Sequence, residues 1–280
     1  MSVLILDGKK VAQDIKNEIK KTIQKENIHL GLAVVLVGSD PASKIYVNNK
    51  KKACKFVGIK SFSYELSEKT SENELLQLIE KLNNDEKING ILVQLPLPKQ
   101  INEEKIIQAI DPKKDVDCFH PKNIGQLFLG KKFFSPCTPA GIIDILDFYN
   151  IDIASKNCVI LGRSNIVGKP AALLFLERNA TVTICHSRTK DLLSVCRKAD
   201  ILIAAIGKAK FVKKDFVRKN AILIDVGINR LDDGKICGDI DYDDVFSKAG
   251  AITPVPGGVG PTTIANLLKN CFKSKDYSKV

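Results

Sequence analysis

The chain has 280 residues with a formal net charge of +11 at pH 7, and hydrophobic residues make up 44% and charged residues 27% of it. These proportions are ordinary for a globular protein with a substantial core, and no apolar run reaches the roughly 18 residues of a membrane-spanning helix. The lysines are dispersed and Trp is absent, whereas nucleic-acid-binding proteins cluster basic and aromatic residues. We therefore expect neither a nucleic acid nor a membrane as a partner.

The N-terminus and the cysteines indicate a cytoplasmic protein. The first ten residues lack the basic start and cleavage site of a signal peptide, so we interpret them as mature sequence. The eight cysteines form no C-x-x-C pair, and several lie in apolar runs, which favours buried free thiols over disulfides. His29, His120 and His186 are far apart in sequence and show no metal-ligand spacing. No metal site is predicted.

The first half of the chain alternates strand and helix patterns. The predicted elements are strands at 31–38, 59–66 and 88–98, helices at 41–57, 71–84 and 102–110, and an irregular loop at 111–121. The first strand is a continuous apolar run, which is typical of a buried parallel strand. Ser71 and Glu74 have the spacing of a capping box at the start of the second helix. This pattern predicts an α/β unit with a mostly parallel sheet.

The alternation restarts near residue 140. The predicted elements are helices at 138–150, 171–178, 191–199 and 264–272, and strands at 157–162, 181–188, 200–207 and 220–229. This order is typical of a doubly wound α/β domain. We find no internal repeat.

A glycine-containing turn joins the strand at 157–162 to the following helix. The segment G-R-S-N-I-V-G (162–168) provides a small residue at the turn and a helix N-terminus that can bind a pyrophosphate. It departs from G-x-G-x-x-G because Ser164 takes the second glycine position and the last glycine is one residue late. An ordinary strand–turn–helix connection is the alternative interpretation.

The end of the next strand bears on the choice of dinucleotide. NAD-binding folds usually carry an acidic residue there, which binds the ribose 2′-hydroxyl. Here the segment is His186-Ser187-Arg188-Thr189, and a hydroxyl with a guanidinium suits a 2′-phosphate. Arg163 can add a second cation, so NADP is favoured over NAD. The alternative is that Arg188 is simply an exposed residue.

A second set of polar residues lies in the first half. Tyr46 and Lys50 are four residues apart on a predicted helix and share one face. Gln94 lies at the end of the third strand, and Asp117 lies in the following loop. Ligands of open α/β sheets bind outside such strand ends, so these residues predict a site, although a Tyr–Lys pair on a surface helix is also common. The loop T-P-V-P-G-G-V-G-P (253–261) has the glycine and proline content of a shaped loop that approaches a ligand.

Taken together, these motifs resemble one known family, the bifunctional methylenetetrahydrofolate dehydrogenase/cyclohydrolases. The matching stretches follow the family's order over nearly the whole chain. They are Y-V-N-N-K (46–50), V-Q-L-P-L-P (93–98), D-V-D (115–117), F-H-P (119–121), P-C-T-P (136–139), G-R-S-N-I-V-G-K-P (162–170), H-S-R-T (186–189), D-V-G-I-N (225–229) and T-P-V-P-G-G-V-G-P (253–261).

The resemblance implies an α/β fold of two domains that face each other across a cleft. Residues 1–139, with a C-terminal helix at about 265–280, would form the folate-binding catalytic domain, and residues 140–264 a Rossmann-like NADP-binding domain. The implied enzyme oxidises 5,10-methylenetetrahydrofolate with NADP and hydrolyses the methenyl product to 10-formyltetrahydrofolate. It is expected to be a homodimer whose substrates are tetrahydrofolate derivatives, polyglutamylated forms included.

The resemblance also implies residue roles. Lys50 is the catalytic lysine, Gln94 assists it, Tyr46 stacks on the folate and Asp117 binds the pterin. The implied substrate-binding residues are Tyr46, Val93, Leu95, Asp117, Pro256, Gly257, Gly258 and Val259, the last four in a loop that borders the folate. The implied cofactor-binding residues are Gly162, Arg163, Ser164, Ser187, Arg188 and Ile228.

Three residues depart from the family's usual pattern. Cys118 replaces a Gly after D-V-D, Thr262 replaces a Met and Ala209 replaces a Pro. A side chain at Cys118 is expected to narrow the pterin pocket. Two alternatives stay open: a dehydrogenase of the same fold without cyclohydrolase activity, which intact Tyr46, Lys50 and Gln94 disfavour, and a non-catalytic nucleotide sensor, which would lack Lys50 and Asp117.

Overall fold

The computed structural model describes residues 3–279. The strands are β1 (Leu4–Ile5), β2 (Gly31–Val37), β3 (Lys60–Leu66), β4 (Gly90–Val93), β5 (Asn157–Leu161), β6 (Thr181–Cys185), β7 (Ile201–Ala204), β8 (Ala221–Asp225), β9 (Asn229–Arg230), β10 (Ile236–Cys237) and β11 (Ala249–Ile252). The α-helices are α1 (Gly8–Glu26), α2 (Pro41–Val57), α3 (Glu72–Asn84), α4 (Glu103–Ala109), α5 (Pro121–Phe128), α6 (Cys137–Phe148), α7 (Gly168–Glu177), α8 (Leu192–Cys196), α9 (Tyr242–Val245) and α10 (Val259–Lys273). None of the helices in this part of the chain is both long and apolar enough to cross a bilayer.

Contacts between residues divide the chain into two compact units. The first unit contains Asp14–Ser135 and residues 264–279, and the second unit contains residues 3–13 and Pro136–Thr263. The sequence-based ranges place residues 3–13 and 136–139 in the first domain, whereas residue contacts group them with the second unit. Strand β1 pairs in parallel with β11, with Leu4 opposite Ala251, so the N-terminus joins a sheet built from the second half of the chain. Residues 1, 2 and 280 of those ranges lie outside the described residues.

The first unit is built on a three-stranded parallel sheet with the order β3-β2-β4. All seven residues of the central strand β2 are buried, as expected for a parallel strand covered on both faces. Ile79 of α3 and Ile106 of α4 are completely buried in the core with Val35 of β2. Because β2 and β4 are parallel, their carboxyl ends lie at the same edge of this sheet.

The second unit is built on a six-stranded parallel sheet with the order β1-β11-β8-β7-β5-β6. The order reverses direction between β5 and β7, and ligands of doubly wound sheets bind at the carboxyl ends of strands beside such a point. A short antiparallel hairpin, β9 and β10, follows β8. The second unit is thus a dinucleotide-binding type of sheet with an inserted hairpin at its carboxyl edge.

Several predicted elements are confirmed, although most of them begin or end at other residues than predicted; the strand predicted at 220–229, for example, ends at Asp225. Helix α2 ends at Gly58, whose φ of 91° is left-handed, and Ser71 and Glu74 form the predicted capping box. The third strand is shorter than predicted because Pro96 and Pro98 have no N–H to donate to a neighbouring strand. Helix α10 begins at Val259 rather than at residue 264, since Pro261 falls in its first turn, where no N–H is needed.

All eight cysteines are free thiols, and seven of them are buried; only Cys237 is partly exposed. The prediction of buried free thiols is therefore confirmed for seven positions.

Candidate active site

Helix α2 positions Tyr46 and Lys50 one turn apart in the first unit. The helix begins after Asp40, whose Oδ2 accepts a hydrogen bond from the backbone N–H of Ser43 at 2.7 Å. Tyr46 is half-buried, and this burial raises the pKa of its phenol. Lys50 is only 8% exposed, and its Nζ donates to Oε1 of Gln94 at 3.0 Å. The structure therefore brings the predicted lysine and glutamine together.

Gln94 is held in one orientation at the end of β4. Its backbone N–H donates to the carbonyl of Val35 at 2.8 Å, and its Nε2 donates to the carbonyl of Leu95 at 2.7 Å. A lysine ammonium can only donate, so the amide oxygen must face Lys50. These bonds fix the amide and, through it, the position of the Lys50 ammonium group.

Asp117 lies in a loop that is anchored by the neighbouring Asp115. Asp115 is 2% exposed. Its carboxylate accepts from the backbone N–H groups of Phe119 (3.1 Å) and His120 (2.8 Å) and from Nδ2 of Asn123 (2.8 Å). Asp117 is half-buried, and none of the described residues of this loop donates a hydrogen bond to its carboxylate. In the sequence motif D-V-D, the first carboxylate thus anchors the loop, and a ligand-binding role for the second stays a prediction.

Burial raises the pKa of Asp117 to about 6, the positive charge of Lys50 lowers it, and Asp115 raises it. Asp117 also lines a pocket, whose lining residues are Ile91, Val93, Leu95, Ile106, Ile107, Ile110, Asp115, Asp117 and Phe119. Val93, Leu95 and Asp117 thus line one cavity of about 10 Å³, which has room for about one water molecule and not for a folate ring.

The three departures from the family pattern have local explanations. Cys118 has a φ of 62°, a region that favours glycine, and its buried side chain packs with Phe134 and Tyr277. Cys118 is not among the described residues that line the small cavity beside Asp117, and the expectation that it narrows the pterin pocket stays a prediction. Thr262 is buried and its Oγ1 donates to the carbonyl of Val259 at 2.8 Å. Ala209 lies in an exposed turn.

In the second unit, the turn after β5 has no room for a side chain at its two glycine positions, Gly162 and Gly168. Gly162 has a φ of 122°, and a Cβ there would collide with the carbonyl oxygen of Ala205. A Cβ on Gly168 would collide with the carbonyl oxygen of Gly162. Oγ of Ser164 accepts from the N–H groups of Val167 (3.2 Å) and Gly168 (3.3 Å) at the start of α7. This compact turn into a helix N-terminus fits the pyrophosphate of a dinucleotide.

The turn after β6 leaves the same edge of the sheet. Leu161 and Cys185 are opposite each other in the last register position of β5 and β6, and the N–H of Gly162 donates to the carbonyl of Cys185 at 2.9 Å. Ser187 and Arg188 follow β6 and are exposed, as is Arg163 in the neighbouring turn. Two guanidinium groups and a hydroxyl therefore extend from adjacent turns, which suits the extra phosphate of NADP.

The remaining predicted residues also lie in the second unit. Ile228 lies between β8 and β9 and is 51% exposed. Pro256, Gly257 and Gly258 follow β11, and Val259 is the first residue of α10. Gly257 has a φ of 113°, so the loop needs glycine at that position.

Sequence reasoning missed two buried carboxylates of the second unit, Asp225 and Asp239. Asp225 was part of the D-V-G-I-N motif but received no role. Nothing marked Asp239 except its position after Gly238, because its partners are distant in sequence.

The two α/β units, one with a lysine–amide pair beside a carboxylate and one with a dinucleotide-type glycine turn, define a nicotinamide-dependent dehydrogenase with a separate catalytic domain. Family models support this class and make it specific. The catalytic domain of tetrahydrofolate dehydrogenase/cyclohydrolase matches residues 6–117, and the NAD(P)-binding domain of the same family matches residues 136–279. The chain belongs to the tetrahydrofolate dehydrogenase/cyclohydrolase family.

Individual relatives agree over nearly the whole chain. A bifunctional protein FolD from Agathobacter rectalis is 60% identical over 273 residues, which span 96% of this chain and 98% of that protein. One from Acetivibrio thermocellus is 55% identical and covers 98% of this chain and 97% of its own. The crystal structure of the bifunctional FolD enzyme from Campylobacter jejuni has 48% identity and a TM-score of 0.95, with 100% of both chains covered. The protein is a bifunctional dehydrogenase/cyclohydrolase.

A more distant structure bears on the cofactor. The methylenetetrahydrofolate dehydrogenase–cyclohydrolase of Trypanosoma brucei, solved with NADP and an inhibitor, is 33% identical with a TM-score of 0.94 and covers 100% of this chain and 99% of its own.

Proposed function

We propose that this protein oxidises 5,10-methylenetetrahydrofolate to 5,10-methenyltetrahydrofolate with NADP and hydrolyses the methenyl form to 10-formyltetrahydrofolate. The observation that carries both activities in one chain is the hydrogen bond between Lys50 Nζ and Gln94 Oε1. It places a buried amine, oriented by an amide, in the same unit as Asp117. A chain that performed only the oxidation would not need such an amine.

The second unit acts as the NADP-binding domain. Gly162 and Ser164 would hold the pyrophosphate at the start of α7, while Arg163, Ser187 and Arg188 would bind the 2′-phosphate. Ile228, exposed beyond β8, would contact the cofactor through its apolar side chain. When bound, NADP accepts a hydride from the methylene carbon. The protein's part in this step is to align the two reactants, and no protein acid or base is required.

The first unit acts as the folate-binding catalytic domain. The Asp117 carboxylate can accept two parallel hydrogen bonds from a pterin ring N–H and its amino group. Val93 and Leu95 would form the apolar wall, and Tyr46 would stack on the folate. We further propose that Pro256, Gly257, Gly258 and Val259 border the folate, as they do in the family pattern.

Hydration of the methenyl carbon requires proton transfer, and Lys50 is the group that performs it. The ammonium group is nearly enclosed and held by Gln94, so its position is set before the substrate binds. Gln94 orients Lys50 by accepting a hydrogen bond from its Nζ. In its neutral form, Lys50 takes one proton from the water as the water oxygen bonds to the methenyl carbon. The bond between that carbon and the ring nitrogen then breaks as the new hydroxyl becomes the formyl C=O; the ring nitrogen receives one proton through Lys50, and the other proton of the water is released to solvent. Opening of the ring then yields the 10-formyl product.

The cellular setting follows from the chemistry. We propose that the enzyme is a cytoplasmic homodimer that uses tetrahydrofolate derivatives, polyglutamylated forms included. Its 10-formyl product would supply formyl groups to purine biosynthesis. No nucleic acid or membrane has a role in this function.

Two absorbance assays test the proposal. The protein is incubated with methylenetetrahydrofolate and NADP, and methenyl formation and decay are followed. Methenyltetrahydrofolate is then supplied alone, and its hydrolysis is compared with the buffer rate. We expect both reactions to be catalysed. Oxidation without accelerated hydrolysis would identify a dehydrogenase of the same fold, and neither reaction would contradict the whole assignment.

A further inference from the structure

Two buried carboxylates lie at the carboxyl edge of the six-stranded sheet. Asp225 is the last residue of β8 and is 4% exposed, and Asp239 follows β10 and is completely buried. Burying a carboxylate is costly unless it accepts several hydrogen bonds. The bonds that each one accepts show which segments it holds.

Asp239 holds the turn that follows β7. Its carboxylate accepts from three consecutive backbone N–H groups, those of Ile206 (2.7 Å), Gly207 (3.0 Å) and Lys208 (2.8 Å). It also accepts from Nδ2 of Asn229 at 2.9 Å. One side chain therefore ties the hairpin after β8 to a turn at the end of the neighbouring strand.

Asp225 holds the other side of the same hairpin. It accepts from the N–H groups of Gly227 (2.9 Å), Asp239 (2.9 Å) and Ile240 (2.8 Å). Its own N–H donates to Oγ1 of Thr253 at 2.8 Å. The two carboxylates are linked, because the backbone of Asp239 is bound by Asp225 while its side chain binds the turn at 206–208.

Two glycines make this arrangement possible. A Cβ on Gly227 would collide with the Asp239 carboxylate, and a Cβ on Gly238 would collide with the Asp225 carboxylate. The Asp239 carboxylate thus packs directly on the backbone of Gly227, and the Asp225 carboxylate packs directly on the backbone of Gly238. The hairpin can adopt this conformation only with glycine at both positions.

Ile228 lies between the two anchors. The residue before it, Gly227, is bound to Asp225, and the residue after it, Asn229, is bound to Asp239. Ile228 itself is half-exposed. An apolar side chain held out from a tightly bound backbone is arranged for a ligand rather than for the core.

We propose that Asp225 and Asp239 are positioning residues for NADP, which hold Ile228 and the turn at 206–208 in the cofactor-binding conformation before NADP arrives. This inference rests on the proposed function, in which Ile228 contacts the cofactor. Pre-organisation of a binding surface increases affinity because less ordering remains to be done on binding. Neither carboxylate needs to touch NADP.

The direction of the expected change in NADP affinity distinguishes the loss of a positioning residue from the loss of a negative charge. Asp239→Asn keeps the shape but replaces one acceptor oxygen with a donor that faces backbone N–H groups. Removing a negative charge should by Coulomb's law strengthen binding of an anionic cofactor. Weaker binding by the variant would therefore come from lost positioning.

The experiment uses the full chain and three carboxylate variants: Asp239→Asn, Asp225→Asn and the control Asp200→Asn. Asp200 precedes β7 at the opposite edge of the same sheet and accepts from the N–H of Asn157 at 2.9 Å and from Arg218 at 2.6 Å. The control removes the same charge from the same unit. Readouts are backbone hydrogen exchange of the protein without ligand, the NADP dissociation constant by calorimetry, and hydrolysis of supplied methenyltetrahydrofolate.

For Asp239→Asn we expect faster exchange at 206–208 and 227–229 and an NADP dissociation constant raised at least about tenfold, equivalent to one charged hydrogen bond. Hydrolysis of supplied methenyltetrahydrofolate, which uses no dinucleotide, should stay close to the wild-type rate. Asp200→Asn should change neither local exchange nor the NADP dissociation constant. Unchanged exchange and affinity in Asp239→Asn, or a parallel loss of hydrolysis, would overturn the inference.

Two further variants keep the outcomes distinct. If Asp225→Asn does not fold, Asn229→Ala removes a single side-chain bond to Asp239 and should give a smaller effect in the same direction. Ile228→Ala tests the underlying assignment. If Ile228→Ala binds NADP normally, the proposed cofactor contact is wrong; if it binds weakly while Asp239→Asn binds normally, only the positioning role fails.

Discussion

At the residue scale, the Lys50 amine separates the two activities. Lys50→Met keeps length and apolar volume but deletes the amine. General acid–base groups contribute about 10²–10⁴-fold, so hydrolysis should fall by that order while oxidation falls less and methenyltetrahydrofolate accumulates. Stopped-flow measurement of both steps checks this outcome. Lys51→Met, which removes a partly exposed amine paired with Glu65 at 3.1 Å, is the matched control and should leave the ratio of rates unchanged.

The opposite result has a clear meaning. If Lys50 only attracts an anionic folate, Lys50→Met should raise KM for both reactions and leave their rate ratio fixed. That result would remove Lys50 from the hydration step.

Asp117 should make folate binding sensitive to pH. Only the ionised carboxylate accepts both pterin hydrogen bonds, and burial has raised the pKa of Asp117 from 3.8 to about 6. The accepting form is therefore lost as pH falls through about 6, and KM for both folate substrates should rise on the acid side. Steady-state KM measured from pH 5 to 8 gives the profile. Asp117→Asn should raise KM at all pH values and remove the dependence of KM on pH.

Lys50 provides a second check on the same profile. Its charge lowers the pKa of Asp117, so Lys50→Met should move the acid limb to higher pH. A profile that keeps its midpoint in both variants would assign the titration to another group.

We propose that Arg163, together with Ser187 and Arg188, contacts the 2′-phosphate. A charge-assisted hydrogen bond to phosphate contributes about 1.5–3 kcal/mol, so Arg163→Ala should reduce the preference for NADP over NAD by about tenfold or more in kcat/KM. Arg178→Ala, an exposed guanidinium of the same unit paired with Asp147, should not change the preference. Equal use of both cofactors by the wild type would contradict the assignment.

At the element scale, one lysine fixes the end of a helix. Lys114 Nζ donates to the carbonyls of Leu82 (3.1 Å), Asn83 (2.7 Å) and Asp85 (2.9 Å), which lie at the C-terminus of α3. A lysine there satisfies these groups and complements the helix dipole. It also holds the start of the loop that carries Asp117, because the carbonyl of Lys114 accepts from Ile91 at 2.7 Å.

Lys114→Met should therefore destabilise the protein by about 1–3 kcal/mol in urea unfolding monitored by circular dichroism. Lys113→Met, which removes the exposed neighbouring amine, should change the free energy of unfolding by much less. Similar values for the two variants would show that the three bonds contribute nothing net.

At the scale of the whole molecule, the charge of +11 should favour polyanionic substrates. Dispersed lysines raise the local concentration of anions, and salt screens this effect over a Debye length of about 10 Å at 0.1 M. KM for a pentaglutamate substrate should be lower than for the monoglutamate at low salt, and the two values should converge as NaCl increases. Equal KM values for the two substrates at low salt would show that the positive charge of the surface has no role in substrate binding.

The two ends of the chain are exchanged between the units. Residues 3–13 belong to the second unit, and residues 264–279 belong to the first. Helices α1 and α10 each begin in one unit and continue into the other. The sequence pattern could not assign residues 3–13 to the second unit, because a strand of two residues such as β1 has no periodicity that identifies its partner strand.

Short-range patterns were enough to predict much of this protein. The sequence alone determined helix α2 with its Gly58 end, the Ser71–Glu74 cap, the alternation of buried strands and helices, and the glycine turn at Gly162. Each of these depends on residues within about one or two helical turns of each other, where backbone geometry and hydrophobic period act directly. The family could also be predicted from the ordered motifs, because each motif is a contiguous stretch of the chain.

Tertiary structure decided the rest, for a physical reason. The pairing of β1 with β11, the hydrogen bond between Lys50 and Gln94, and the anchoring of the turn at 206–208 by Asp239 all join segments that are remote in sequence. A buried carboxylate must find hydrogen-bond donors wherever the fold brings them. No local pattern encodes which backbone N–H groups those will be, because chain packing alone brings them within reach.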